Sequence, residues 1–113
     1  MSPEQLIELA KEAMTHAYVP YSGYKVGAAL LCADGTVYQG CNIENAAYGP
    51  TNCAERTAIF KAVYDGHRDF QAIAICGGKG GGKPDSAMGG GKDITKMDNA
   101  LALVDDFVSS KLN

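Results

Sequence analysis

Cys53 and Glu55 stand two apart in the run Thr51-Asn52-Cys53-Ala54-Glu55-Arg56. At a helix start, unpaired amides and the helix dipole stabilise a thiolate, which marks Cys53 as a candidate metal ligand. By helical spacing Glu55 shares a face with Ile59 and Ala62. A carboxylate on an apolar face is costly unless something pairs with it. A metal-bound water, or a proton taken up by a general base, would be such a partner. The same spacing also suits a packed thiol and a carboxylate that only serves the helix cap. What is present is half a site. The cysteines are at 32, 41, 53 and 76, no CxxC pair occurs, and nothing downstream supplies the paired thiols that would close a metal shell.

The elements that must hold these residues follow from pattern. Ser2-Pro3-Glu4-Gln5 predicts a helix start, with Ser2 as cap, Pro3 in the first turn and Gln5 as the capping-box partner. Leu6, Ala10, Ala13 and Ala17 recur on one face, and the helix must end before Pro20. Lys25 to Cys32 and Val37 to Asn42 read as two antiparallel strands about an Asp34-Gly35 turn. Thr51 or Asn52 is placed to cap a second helix whose apolar face is Ala58, Ile59, Ala62 and Val63, with Gly66 as its stop. Phe70 to Cys76 reads as a third strand covered on both faces. From Gly77 to Gly91 eight of fifteen residues are glycine, which predicts a loop. A last helix, capped by Asp93, carries Met97, Leu101, Val104 and Val108. The expected fold is α/β: a three-stranded mixed sheet with flanking helices. The third strand is expected to run parallel to a neighbour and to leave an open edge.

Four stretches carry a resemblance. They are Tyr18-Val19-Pro20-Tyr21-Ser22, Val26-Gly27-Ala28-Ala29-Leu30, Gly40-Cys41-Asn42-Ile43-Glu44-Asn45-Ala46 and Cys53-Ala54-Glu55-Arg56-Thr57-Ala58. Through them residues 1–76 resemble the amino-terminal part of the small homotetrameric cytidine deaminases. The resemblance implies a deaminase-like half fold in which Cys53 binds zinc and Glu55 shuttles protons. It further implies that Asn42 and Glu44 hold ribose hydroxyls and that Ala54 meets the base through its backbone. Arg56 would tune the zinc-bound thiolate. Tyr24 stands where the family usually has a Phe lining the pyrimidine pocket. In such a site zinc lowers the pKa of its water, which attacks C4 of cytosine.

The family's second motif, Pro-Cys-Gly-Ala-Cys, has no counterpart. Pro84-Asp85-Ser86-Ala87-Met88 comes closest, and a thioether is a poor zinc ligand. Recruitment of Cys41 or Cys76 would require both to face the same pocket as Cys53. Residues 80–93 and the last helix instead resemble the end of the C-terminal domain of alanyl-tRNA synthetases. The two resemblances meet near Cys76 to Gly80, inside one expected domain spanning 1–113. That junction implies a recombined, artificial chimera: a 1–76 deaminase-like segment followed by 77–113 from a different family. The expected function is a folded chimera with an incomplete zinc site and no efficient catalysis. The alternatives are a residual cytidine deaminase and a weak tRNA- or phosphate-binding module.

Bulk properties bound the rest. A chain of 113 residues with 46% apolar content affords one small core with a thin margin, which favours burial between subunits in a homo-oligomer. The formal charge of −3 argues against dedicated nucleic-acid binding, although Lys79, Lys83, Lys92 and Lys96 form a sparse cluster. No apolar run reaches membrane-spanning length and no secretory leader pattern opens the chain, so a cytoplasmic setting with reduced thiols is expected. His16 and His67 read as solvated surface histidines. Tyr18, Tyr21, Tyr24 and Tyr48 suit either a nucleoside pocket or the core.

Overall fold

The computed structural model describes residues 1–45 and 53–78, and the backbone of 85–90. Helix α1 (Pro3–Ala13) begins as its sequence requires. The Gln5 N–H donates to the Ser2 hydroxyl at 3.2 Å and the Ser2 N–H donates to Gln5 Oε1 at 2.9 Å. A 3-10 turn, Met14–His16, unwinds the chain before Pro20. Strands β1 (Lys25–Cys32) and β2 (Val37–Cys41) form the expected hairpin. Helix α2 (Ala54–Tyr64) follows, stopped beyond its Asp65 cap by Gly66 at φ +95°. Strand β3 runs Phe70–Gly78 and β4 runs Asp85–Gly90.

The α/β class and the three predicted strands are present. The strand directions differ from the mixed sheet expected. The sheet has four strands in the order β2-β1-β3-β4, and every neighbouring pair is antiparallel. The reason is the crossover through α2, which carries the chain past β1. Strand β3 is therefore parallel to β2, but β1 lies between them. Nor is β3 an open edge, because it pairs with β1 on one side and β4 on the other. The argument for assembly through that edge falls with it. Part of the predicted glycine loop is strand as well: Gly77 and Gly78 extend β3, and 85–90 pair with it. A glycine backbone still carries a donor and an acceptor, and the paired edge of β3 satisfies them. Residues 79–84, the predicted helix from Asp93, the lysines at 79, 83, 92 and 96, Tyr48, and the caps Thr51 and Asn52 lie outside the described residues.

Two glycines let the helices lie on the sheet. A Cβ on Gly27 would overlap the Ala10 carbonyl and sit 2.6 Å from the Met14 nitrogen, so this face of β1 belongs to α1. A Cβ on Gly40 would overlap the Ala54 carbonyl and sit 2.5 Å from the Ala58 nitrogen, so this face belongs to α2. Gly40 pairs with Ala28, and Ala28 points opposite to Gly27. The helices thus cover opposite faces. Between them Leu6, Ala10, Leu30, Ala58, Ile59, Ala62, Ile73 and Ile75 are buried.

The outer border of β2 is partly occupied. Tyr38, Gly40 and Asn42 bond inward to β1, so Gln39 and Cys41 turn their carbonyls outward. Lys61 Nζ of α2 donates to the Gln39 carbonyl at 2.6 Å, and the Thr57 hydroxyl donates to that of Cys41 at 3.0 Å.

Gly40→Ala should cost about 1–3 kcal/mol in denaturant unfolding, because the added methyl meets backbone rather than a side chain that can move aside. A loss below ~0.5 kcal/mol, the range of neutral surface changes, would mean that α2 does not rest on Gly40.

Candidate active site at the start of the second helix

Every residue the sequence singled out for chemistry lies at one end of the sheet. Asn42 follows β2, Tyr24 precedes β1, and Ala54 opens α2 beside Gly40. Asn42 staples the strand starts: its Nδ2 donates to the Tyr24 carbonyl at 2.8 Å and its Oδ1 accepts from the Val26 N–H at 3.0 Å. Among the described residues, one Nδ2 proton and one acceptor site have no partner besides these. Glu44 Oε1 accepts from the Tyr21 and Ser22 N–H groups at 3.0 and 3.1 Å. The Ser22 hydroxyl, backed by these amides, holds the Glu44 carboxyl below its ordinary range. Both residues therefore shape the 18–24 loop. Tyr24 is half-buried and packs on bare backbone: a Cβ on Gly77 would lie 3.0 Å from its Cε1.

The helix start departs from the predicted cap. Cys53 itself is the N-cap of α2, with extended backbone at φ −78°, ψ 160° and no side-chain capping bond. The helix therefore begins one residue later than a cap at Asn52 needs. Glu55 is instead turned inward and is 0% exposed, the one buried charged side chain among the described residues. Burial pushes the Cys53 thiol up to about 12, and the charge of Glu55 and a hydrogen bond to its carboxylate add to the effect. The Arg56 N–H and the Arg56 charge oppose it.

Thr57, three residues into α2, joins two elements. Its hydroxyl is shared between the Cys41 carbonyl at 3.0 Å and the Cys53 carbonyl at 3.1 Å, tying the end of β2 to the start of α2. A hydroxyl four residues after a helix cap is the signal that could have found it.

Among the described residues, no set of donors completes a thiolate zinc centre. All four cysteines and both histidines of the chain lie among the described residues, and no three metal-ligating groups converge there. Cys41 pairs with Gly27 and so does Cys76, which places both side chains on the α1 face, away from α2. Cys76 Sγ donates to the Ile7 carbonyl of α1 at 3.6 Å. Cys32 lies at the far end of β1, where burial pushes its thiol up to about 11. Residues 85 and 88 lie three apart on extended strand β4, with roughly 10 Å of backbone between them. Cys53 is left as a single sulfur anchor.

Glu55→Gln should raise the alkylation rate of Cys53 several-fold at neutral pH, because removing the adjacent negative charge lowers the thiol's pKa and enlarges the thiolate fraction. Peptide mapping after iodoacetamide treatment reads this directly. An unchanged rate at Cys53 would mean that Glu55 does not act on the sulfur.

Comparison with known proteins agrees with this geometry. The profile of the cytidine and deoxycytidylate deaminase zinc-binding region matches residues 1–78. That of the DHHA1 domain matches 68–110. A cytidine deaminase of Sporosarcina psychrophila is 64% identical over 75 residues, covering 66% of this chain and 55% of that protein. The crystal structure of the cytidine deaminase from Burkholderia pseudomallei superposes with a TM-score of 0.67 at 55% identity, over 72% of this chain and 65% of that one. An alanine–tRNA ligase of Bacillus subtilis is 48% identical over 54 residues, which are 48% of this chain and 6% of the ligase. The chain spans little more than half the length of the curated deaminases it matches. With the sheet, both helices and the Cys53-Ala54-Glu55 helix start in place, the chain belongs to the cytidine and deoxycytidylate deaminase zinc-binding family.

Proposed function

We propose that this chain is a deaminase-family domain that retains a nucleoside-binding wall but lacks the donor set for efficient deamination. Its two family segments join within β3, the stretch that both family matches include. The observation that carries the reading is the isolation of Cys53, since the other three thiols face α1 or the far end of the sheet. Tyr24 would stack on a pyrimidine, and the Ala54 backbone would meet its edge. Asn42 has a remaining proton and Glu44 has remaining lone pairs to read paired sugar hydroxyls. Glu55 is buried beside the sulfur and positioned to hold a proton. That retained proton-handling half favours, as a second reading, a residual cytidine deaminase that converts cytidine to uridine. The 68–110 match favours weak tRNA contact as a third reading, marked by steep salt dependence.

Zinc analysis of protein purified without chelator should give substoichiometric metal that is equal in wild type and Cys53→Ser. Nuclear magnetic resonance titration with cytidine should shift resonances around Tyr24 and Asn42 without uridine accumulating. One zinc per chain that is lost in Cys53→Ser, together with many turnovers abolished by Glu55→Gln, would overturn this reading in favour of the enzyme.

Assembly as a homo-oligomer is part of the proposal. It rests on the size of the chain and on Phe60 and Tyr64, which are 45% and 91% exposed one turn apart on α2. Light scattering at high concentration should give a multiple of 11.8 kDa. A mass of one chain would reject it.

A further inference from the structure

Along the outer border of β2 lies a cavity of about 250 Å³. Strand β2 lines it with Gln39, Gly40 and Cys41, helix α2 with Thr57 and Lys61, and the 3-10 turn with His16. Tyr24, Asn42, Glu44 and Ala54 are not among its lining residues, so it is separate from the nucleoside wall.

The backbone that borders this cavity has donors to spare and no acceptors. The ladder turns the N–H and C=O groups of Gln39 and Cys41 to the same outer border, because Tyr38, Gly40 and Asn42 bond inward. Both of those carbonyls are taken, one by Lys61 Nζ at 2.6 Å and one by the Thr57 hydroxyl at 3.0 Å. The two N–H groups meet no acceptor among the described residues. They stand one strand repeat apart, roughly 7 Å, and the Cys41 N–H falls between the two occupied carbonyls. An ammonium group has three protons, and the Gln39 carbonyl takes one of those on Lys61.

Charge points the same way. No carboxylate lines the cavity, although the chain carries a formal charge of −3. The Lys61 charge is felt inside it: burial pushes the Cys41 thiol up, and Lys61 draws it back down. Outward amides at a sheet edge beside a fixed cation make an environment suited to an anion.

We propose that this cavity binds a small oxyanion, a phosphate or a carboxylate, between the Lys61 ammonium and the outward N–H of Cys41. Two oxygens of one such group accept from the ammonium and the amide together, and Lys61 keeps its bond to Gln39. The bound ion adds a bridge between β2 and α2. The inference does not depend on whether the Cys53 site binds a nucleoside.

Amide resonances of the full chain test it, with sodium phosphate or sodium acetate added at constant ionic strength and sodium chloride as the control. At least one oxyanion should shift the Cys41 amide saturably, and the one that saturates at lower concentration identifies the preferred chemistry. Lys61→Met, which keeps the stem and removes the charge, should weaken binding about tenfold or more, and Lys61→Arg should retain most of it. In the wild type the saturating oxyanion should also slow iodoacetamide alkylation of Cys41 relative to Cys53, because it offsets the charge that favours the Cys41 thiolate. Shifts that neither oxyanion saturates, or that chloride reproduces, would overturn the proposal. So would a folded Lys61→Met chain that binds as tightly as the wild type. Should that variant not fold, an unchanged rate at Cys41 overturns it instead.

Discussion

The fold depends on β3 being hydrogen-bonded along both edges at once. Ala72 to Cys76 are buried in succession, and each pairs with β1 on one side and β4 on the other. Strand β1 comes from the part of the chain that resembles deaminases, and β4 from the part matched by the DHHA1 profile. The β3 stretch is matched by both. A strand ladder is made by backbone groups that every residue except proline supplies, so it can bridge two sequence families without matched side chains. Side-chain demands are confined to the faces, where Ile73, Ile75 and small alanines meet the core.

From that ladder the placement of the site follows. Gly27 and Gly40 allow a helix to settle on each face of the hairpin, and Thr57 ties the start of α2 to the end of β2. These contacts bring Cys53 and Glu55 to the same end of the sheet as Tyr24, Asn42 and Glu44. The pleat that aims Cys41 and Cys76 at α1 also separates them from Cys53. The chain thus keeps the scaffold and this grouping of residues, while its thiols are dispersed over two faces of the sheet.

Much of this was legible in the sequence. Ser2, Pro3 and Gln5 specify a helix start locally, and the structure forms the capping box they predict. Lys25 to Cys32 reads as a strand and is one, residue for residue. Glycine content was the poorer guide. Gly77 and Gly78, and the glycines at 89 and 90, read as loop because their propensity is low, yet a long-range partner strand makes them sheet. Strand direction was illegible for a related reason. Nothing local states that a crossover passes one strand before it pairs. The α2 cap falls at Cys53, one residue beyond Asn52, because a run of three residues ahead of the helix offers no single strong local signal for its start. His67 looked like a solvated histidine because its partners, Asp34 and Tyr38, are about thirty residues away in sequence and meet it only when the hairpin folds onto α2.

The outward carbonyls of Gln39 and Cys41 carry a consequence for the chain's behaviour in a crowded solution. A bare strand border recruits identical strands, and fibrils grow by that templating. Here a stranger approaching β2 finds an ammonium group and a hydroxyl already seated on two of the acceptors it would need. Stripping them would expose the helix that they anchor. The side chains that fix α2 in place therefore also guard one flank of the molecule against fibrillar growth.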